Sequence, residues 1–248
     1  MAKITYLDNC GFVVRAADVI IVFDYYRDPA HALDHIIRNH PELPVVFFVS
    51  SSRKGHFNPE IFNLAQDNKR LYVLANDVLS HVGDTEVAAV GLSAGDRVED
   101  ITGGLTVEAF EASEAGISFL VTTSCGSVIF HGGDLSPRHY DVTDTRKAER
   151  MASQFTITVR RIAAAYADIN LAFLEVDPRL GKDFAKGAAE FVDTLHVDNF
   201  IPMHMEGMTA QAGDFRNYPV DADTATHFHC FQEVGQTLSV KLPAVTAG

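Results

Sequence analysis

The sequence predicts an α/β fold in four layers, αβ/βα, in which two sheets pack together and helices cover their outer faces. Two strand-rich blocks, each accompanied by helices, follow one another along the chain. The apolar run Val45–Val49 is typical of a strand covered on both faces. Apolar residues spaced by three or four between Thr145 and Ala167 predict a long amphipathic helix. Because no linker-like segment interrupts this order, we expect one domain over residues 1–248.

The N-terminal part begins with three short apolar segments that polar turns separate, which predicts a meander of strands. These segments are Ile4–Leu7, Gly11–Val14 and Val19–Phe23. Helical spacing of apolar residues after Asp28-Pro29 predicts a first helix, and Val45–Val49 then predicts a central strand. Asn58, followed by proline, predicts the N-cap of a second helix.

Strands dominate again further along the chain, where Gly116 and Gly126 separate three candidates as in hairpins. After the long helix, the sequence predicts a strand, a helix, and two closing strands. The predicted strands of this part are Arg70–Leu74, Thr106–Phe110, Ile117–Val121, Ser127–Phe130, Leu171–Val176, Phe200–Met203 and Leu238–Leu242.

Composition narrows the choice of partner. The formal charge of -13 on 248 residues disfavours nucleic acid and anionic membrane surfaces as partners. We therefore expect a small-molecule substrate or ligand. Whether the chain also forms a homo-oligomer is left open by the sequence. No apolar run approaches the roughly 20 residues of a membrane span, and the N-terminus lacks a signal-peptide pattern, so we expect a cytoplasmic protein. The 3 cysteines include no C-x-x-C pair, which disfavours a disulfide framework and a thiolate zinc cluster.

Polar residues follow three of the buried-looking strands directly. His56 lies in the loop after Val49, Asp134 follows Phe130, and His204 follows Met203. Ligand sites in such folds gather at the carboxyl ends of strands, so these three side chains are expected to meet.

Motifs along nearly the whole chain resemble the metallo-β-lactamase-fold hydrolases, and in particular their short, single-domain branch that includes ascorbate-phosphate lactonase-like proteins. The motifs are Tyr6-Leu7, Gly11-Phe12, Phe23–Tyr26, Asp28-Pro29, Gly55–Phe62, Gly116–Phe119, Phe130–Leu135, Val176–Arg179 and Phe200–His204. In that family, a loop reading H-x-H-x-D-H supplies most ligands of one or two metal ions. Its ligand positions correspond here to Ser51, Arg53, Gly55 and His56.

The resemblance implies that the first metal site is lost, because Ser51 and Arg53 replace its leading histidines and the loop 111–116 has no histidine. It also implies that the second site keeps His56, Asp134 and His204, which could hold at most one ion, zinc or else iron or manganese. Such a hydrolase would direct water at an ester, lactone or phosphoester. Asp134 and His131 are its predicted catalytic residues.

The alternative is a metal-free pseudoenzyme or binding protein. A buried Asp134 without a metal needs another cation, and the guanidinium of Arg53 could supply it through a bidentate pair, unless Arg53 faces solvent. The remnant pocket around Arg53, Lys54 and His131 would then bind an anionic ligand. Further predicted pocket or supporting residues are Ser51, Asp24, which resembles a carboxylate bracing the metal loop, and His139, which matches a family histidine.

Overall fold

The computed structural model describes residues 1–82, 87–102, 104–219 and 225–242, and it contains two seven-stranded sheets and a two-stranded one. The strands in chain order are β1 (Ala2–Asp8), β2 (Gly11–Arg15), β3 (Ile20–Phe23), β4 (Val45–Val49), β5 (Arg70–Ala75), β6 (Ala89–Leu92), β7 (Arg97–Ile101), β8 (Leu105–Glu111), β9 (Ile117–Thr122), β10 (Val128–His131), β11 (Asp168–Ile169), β12 (Leu171–Glu175), β13 (His196–Val197), β14 (Asn199–Met203), β15 (His227–Phe228) and β16 (Thr237–Val240).

The first large sheet has the order β16-β1-β2-β3-β4-β5-β6, and the second has the order β15-β14-β12-β10-β9-β8-β7. Each sheet combines an antiparallel half with a parallel half. Strands β3 to β6 pair in parallel in the first sheet, and β10, β12, β14 and β15 pair in parallel in the second. The short strands β11 and β13 form the third, parallel sheet.

Five α-helices accompany the sheets in the described part of the chain. They are α1 (Ala32–Asn39), α2 (Asn76–Leu79), α3 (Thr145–Ala165), α4 (Lys186–Thr194) and α5 (Thr209–Gly213). The longest, α3, begins where the Asp144 carboxylate accepts hydrogen bonds from the backbone N–H groups of Arg146 and Lys147. Its apolar face buries Met151, Phe155, Thr158, Val159 and Ile162. No described helix is both long enough and apolar enough to cross a bilayer.

Aromatic side chains join the two large sheets. The ring centroids of Phe12 on β2 and Phe173 on β12 lie 4.7 Å apart, and those of Phe48 on β4 and Phe119 on β9 lie 5.2 Å apart. All four side chains are at most 1% exposed. The fold is therefore the predicted α/β sandwich, with its apolar core between the sheets.

One predicted helix is much shorter than its sequence pattern indicates. Asn58 does act as a cap, since its Oδ1 accepts a hydrogen bond from the Glu60 backbone N–H at 2.9 Å. However, the segment is only a 3-10 helix over Pro59–Asn63, and Ala65 adopts a positive φ of 52°. The sequence does not predict β6, β7, β11, β13 or β15: β11, β13 and β15 have only two residues each, β6 is a short run of four, and β7 is mostly exposed and charged.

The two large sheets also meet where the chain leaves β4. The Ser50 carbonyl accepts a hydrogen bond from the Ile117 backbone N–H at 2.9 Å. Gly116 lies directly against this carbonyl, since a Cβ atom at Gly116 would be 2.0 Å from the Ser50 oxygen. Gly116 also has a φ of 65°, so glycine is required here for space as well as for backbone conformation.

Gly116→Ala should therefore lower the free energy of unfolding by about 2–4 kcal/mol, because strain and a backbone clash add. The measurement is chemical denaturation followed by circular dichroism. Gly95→Ala is the matched control: Gly95 has a φ of 95° but nothing within 4 Å of the added Cβ. The control should cost only about 1 kcal/mol. Equal losses in the two variants would show that the clash with Ser50 is unimportant.

Candidate functional site

The predicted site residues converge at one edge of the sandwich. Asp24 follows β3, His56 lies in the loop after β4, Asp134 follows β10, and His204 follows β14. Because these strands belong to the parallel halves of the two sheets, their carboxyl ends face the same edge. The side chains that the sequence placed at strand ends are thus brought into one polar centre between the sheets.

Asp24 organises the loop after β4. Its Oδ1 accepts a hydrogen bond from the Ser50 backbone N–H at 2.7 Å, and its Oδ2 accepts one from the Ser50 hydroxyl at 2.6 Å. The same Oδ2 lies 2.7 Å from Nδ1 of His56. Asp24 is fully buried. It therefore fixes the orientation of the His56 ring through a direct hydrogen bond.

His56 lies between two carboxylates. Its Nε2 is 2.9 Å from Oδ1 of Asp134, so each ring nitrogen faces an acidic oxygen. Burial lowers the pKa of His56, but the charges of Asp134 and Asp24 outweigh burial and raise it to about 10. The ring is consequently an imidazolium that donates from both nitrogens.

Arg53 supplies a second cation to Asp134. Its Nη1 lies 3.1 Å from Oδ2 of Asp134 and 3.1 Å from Oε2 of Glu114. Burial raises the pKa of Asp134, but the charges of His56 and Arg53 outweigh burial and lower it to about 2. Asp134 is only 4% exposed. One of its oxygens faces Arg53 and the other faces His56, so both oxygens have a cationic partner.

These groups form a row of alternating charge that we call the charge ladder. Lys147 on α3 extends it, with Nζ 3.2 Å from Oε1 of Glu114. The members in order are Asp24, His56, Asp134, Arg53, Glu114 and Lys147. The ladder is charge-balanced by side chains alone, and it passes back and forth between the two sheets.

A second polar group lies beside the ladder. His204 Nδ1 is 3.0 Å from Oε2 of Glu175, whose Oε1 accepts a hydrogen bond from the Ser136 hydroxyl at 2.9 Å. Burial lowers the pKa of His204, but the hydrogen bond to Glu175 outweighs burial and raises it. Donor atoms of Glu175, Asp177 and His204 lie within 4.8 Å of one another, the only such trio of metal-ligating side chains among the described residues.

The trio's carboxylate Asp177 already has strong partners. Nε and Nη2 of Arg179 each lie 2.8 Å from an oxygen of Asp177, and the Arg179 backbone N–H donates to Oδ1 at 3.0 Å. A metal ion in this trio would compete with that bidentate ion pair.

The predicted ligands of a single metal divide between these two groups. His56 and Asp134 contact each other within the ladder, whereas His204 contacts Glu175, and the rings of His56 and His204 are 6.2 Å apart. A metal ion also needs His56 to be deprotonated, while both neighbouring carboxylates favour the imidazolium. The donor set as arranged does not fit a metal at Asp134.

His131 occupies a position at odds with its predicted catalytic role. Its side chain is fully buried, stacks on Phe23 with centroids 4.7 Å apart, and places Nε2 3.0 Å from the Cys10 carbonyl oxygen. The Gly133 N–H donates to Nδ1 at 3.3 Å, so the ring is neutral with its proton on Nε2. Burial lowers the pKa of His131. The ring therefore ties the two sheets together and has no surface open to a ligand.

The other predicted pocket residues surround the ladder. The buried Ser51 hydroxyl accepts a hydrogen bond from the Arg53 backbone N–H at 3.1 Å and so shapes the loop. His139 places Nε2 3.7 Å from Oε2 of Glu114 and hydrogen-bonds to Asp141. Lys54 is exposed, and it faces a cleft above the ladder.

This cleft has a volume of about 340 Å³ and is rich in charged side chains. Arg27 pairs with Asp8 at its rim, and Arg179 lies 3.8 Å from Glu206. Lys54 has no ion-pair partner within the described ranges. The full lining is Asp8, Asn9, Tyr26, Arg27, Lys54, Gly55, Tyr140, Arg179 and Glu206.

Several of these residues were not identified from sequence. Glu114 lies in the loop in which the family pattern has a histidine, and Glu175 is the single charged residue of the buried run Leu171–Glu175. A charged side chain in a fully buried strand is a usable signal, because it must have a partner. Nothing comparable marks Arg27 or Tyr140, which are exposed loop residues.

No family model matches the chain, and comparison with curated proteins finds no match. Solved structures do match. Igni18, described as a metallo hydrolase from Ignicoccus hospitalis, superimposes with a TM-score of 0.68 at 13% identity, covering 98% of this chain and 99% of that one. A protein from Parabacteroides distasonis described as a metal-dependent hydrolase gives a TM-score of 0.61 at 13% identity, covering 92% of each chain.

YhfI from Bacillus subtilis, described as a metallo-beta-lactamase fold protein, gives a TM-score of 0.59 at 8% identity. The superposition covers 96% of this chain and 100% of that one. Identities this low show a shared fold and leave the reaction open. These superpositions agree with the fold that the motifs indicated. The chain has the metallo-β-lactamase fold, the fold of metal-dependent hydrolases.

Proposed function

We propose that this chain binds a small organic anion in the cleft above the charge ladder and does so without a metal ion at Asp134. The observation that carries the proposal is the pair of cations on Asp134: His56 at 2.9 Å from one oxygen and Arg53 at 3.1 Å from the other. Arginine keeps its charge at every physiological pH. The guanidinium therefore stands where the family pattern has a metal ligand and neutralises the same carboxylate.

A metal at Asp134 would face a strong electrostatic penalty. It would lie within a few Å of the Arg53 guanidinium, and it would have to displace the proton that His56 directs at Asp134. Moving Arg53 away would also remove one of the two cations of Glu114, which would keep Lys147.

The cleft supports anion binding through its local charge. The chain carries a net charge of -13, whereas the cleft lining sets the cations Arg27, Lys54 and Arg179 against the acids Asp8 and Glu206. Arg27 and Arg179 have acidic partners, whereas Lys54 is without an ion-pair partner among the described residues. Lys54 therefore gives the cleft one cation that can attract a small anion in spite of the overall charge.

A one-metal hydrolase is the second candidate, and the trio of Glu175, Asp177 and His204 favours it. A metal held there would lower the pKa of a bound water and polarise an ester or phosphoester. The trio could serve only if Asp177 gave up its bidentate pair with Arg179.

Elemental analysis of protein purified without chelator separates the two candidates. We expect far less than one zinc, iron or manganese ion per chain, and no increase after zinc is added and removed by gel filtration. Asp134→Asn and Glu175→Gln are the matched variants. A stoichiometric ion lost in Asp134→Asn would overturn the metal-free proposal, whereas one lost in Glu175→Gln but kept in Asp134→Asn would assign a metal to the trio and favour the second candidate.

Lys54→Ala should weaken the binding of acetate or inorganic phosphate about five- to tenfold, because a charge-assisted hydrogen bond is lost. Titration by NMR chemical shifts measures such weak affinities directly. Lys69→Ala is the matched control, since it removes the same charge from an exposed position outside the cleft lining. Equal affinities in wild type and Lys54→Ala, or no binding to wild type, would refute the anion site.

The charge ladder predicts a particular pH dependence of stability. The folded pKa of His56, about 10, lies above its ordinary value of 6.5, so its stabilisation is complete below about pH 6.5 and is lost as the pH rises towards 10. The folded pKa of Asp134, about 2, lies below 3.8, so its stabilisation is lost as the pH falls from about 4 to 2.

Denaturation at several pH values should therefore show the free energy of unfolding falling between pH 7 and 10 by up to about 1.4 kcal/mol per pH unit. Asp134→Asn should flatten this slope, because His56 then keeps one carboxylate instead of two. Histidine NMR provides a second readout: the His56 ring should still be protonated at pH 8. A neutral His56 ring at pH 8 would contradict the ladder as described.

A further inference from the structure

We infer that the anions bound by this cleft carry an apolar tail, which occupies a second cavity behind Tyr140. The inference rests on the proposed function and names the class of ligand: organic monoanions such as medium-chain carboxylates. Their charged group would lie in the cleft beside Lys54, and their hydrocarbon part would lie in the second cavity.

The two cavities share a wall. The second cavity has a volume of about 480 Å³ and lies between α3 and the loops at Pro137–Val142 and Arg179-Leu180. Tyr140 and Arg179 line this cavity and also the 340 Å³ cleft. The guanidinium carbon of Arg179 lies 3.7 Å from the centroid of the Tyr140 ring, so a single cation–π stack separates the two spaces.

The two halves of this wall are held very differently. Arg179 is held by a bidentate ion pair with the buried Asp177, in which Nε and Nη2 of Arg179 each lie 2.8 Å from a carboxylate oxygen. Tyr140 is 49% exposed, and its side chain is held by ring contacts with Arg179 and His139. A hydrocarbon tail can therefore displace the Tyr140 ring and pass between the two spaces, while Arg179 remains in position to meet the anionic group.

The linings of the two spaces differ in chemistry. The cleft is lined by charged and polar side chains together with Gly55, and by no aliphatic side chain. The second cavity combines apolar side chains with polar ones; the apolar members are Pro137, Val142, Ala148, Ala152 and Leu180, and the polar members include Arg138, His139, Thr145 and Glu149. The cleft thus suits a charged head group, and the apolar side chains of the second cavity offer surface to a hydrocarbon tail, so a ligand that spans the wall can use both.

The size of the effect follows from burial of methylene groups. Each methylene transferred from water into an apolar cavity should improve affinity about two- to fourfold. Acetate, butanoate, hexanoate and octanoate form a series with one constant anionic group and an increasing tail. The wild-type protein should bind them with dissociation constants that fall stepwise along the series.

The decisive experiment measures this series on two variants of α3. Ala152→Trp fills the second cavity from the helix side and leaves the cleft unchanged, whereas Ala164→Trp places the same side chain on an equally exposed position outside both cavities. We expect Ala152→Trp to bind acetate as wild type does and to lose the gain with tail length. Ala164→Trp should keep that gain.

Failure of this inference can be told apart from failure of the proposed function. If acetate binds, Lys54→Ala weakens it, and octanoate binds no better than acetate, the anion site stands and the tail cavity is refuted. If tail length matters equally in Ala152→Trp and Ala164→Trp, the tail lies elsewhere and the inference is also refuted. If none of the four carboxylates binds to the wild type, both fail together.

Discussion

The neutralisation of Asp134 is the constraint on which the site depends. A carboxylate that is 4% exposed between two sheets cannot remain charged without cationic partners. Here the partners are His56 and Arg53, and each of them in turn requires a second acid, Asp24 and Glu114. The row of alternating charges therefore begins at Asp24, which follows β3 of the first sheet, and ends at Lys147 on α3. Any change of one member alters the electrostatic environment of its neighbours.

This constraint separates the fold from the chemistry for which the fold is known. The loop after β4 is held by Asp24, which binds Ser50 and His56, and by Gly116, which allows the close approach of the second sheet. A guanidinium and an imidazolium balance the carboxylate at the centre of this fold, so the fold by itself does not determine the chemistry.

The cleft shows how binding could remain after such a replacement. The ladder is charge-balanced within itself, and Arg27 and Arg179 have acidic partners, so Lys54 is the lining cation that remains available to a ligand among the described residues. Arg179 has a double role, because it balances the buried Asp177 and also forms one wall of the cleft. Selectivity would then depend on the size of the space behind Tyr140 more than on the remnant of the metal centre.

The sequence by itself determined the sandwich, the three-stranded start, the central strand β4, the helix α3 and the strand ends that carry Asp24, His56, Asp134 and His204. These follow from local periodicity and from the rule that parallel strands end at one edge. Only the tertiary structure decided that Arg53 reaches Asp134 while its side chain stays partly exposed, that His131 is enclosed, and that Glu114 and Glu175 complete the centre. The physical reason is that pairing between charges distant in sequence depends on the packing of two sheets, about which local sequence patterns carry no information.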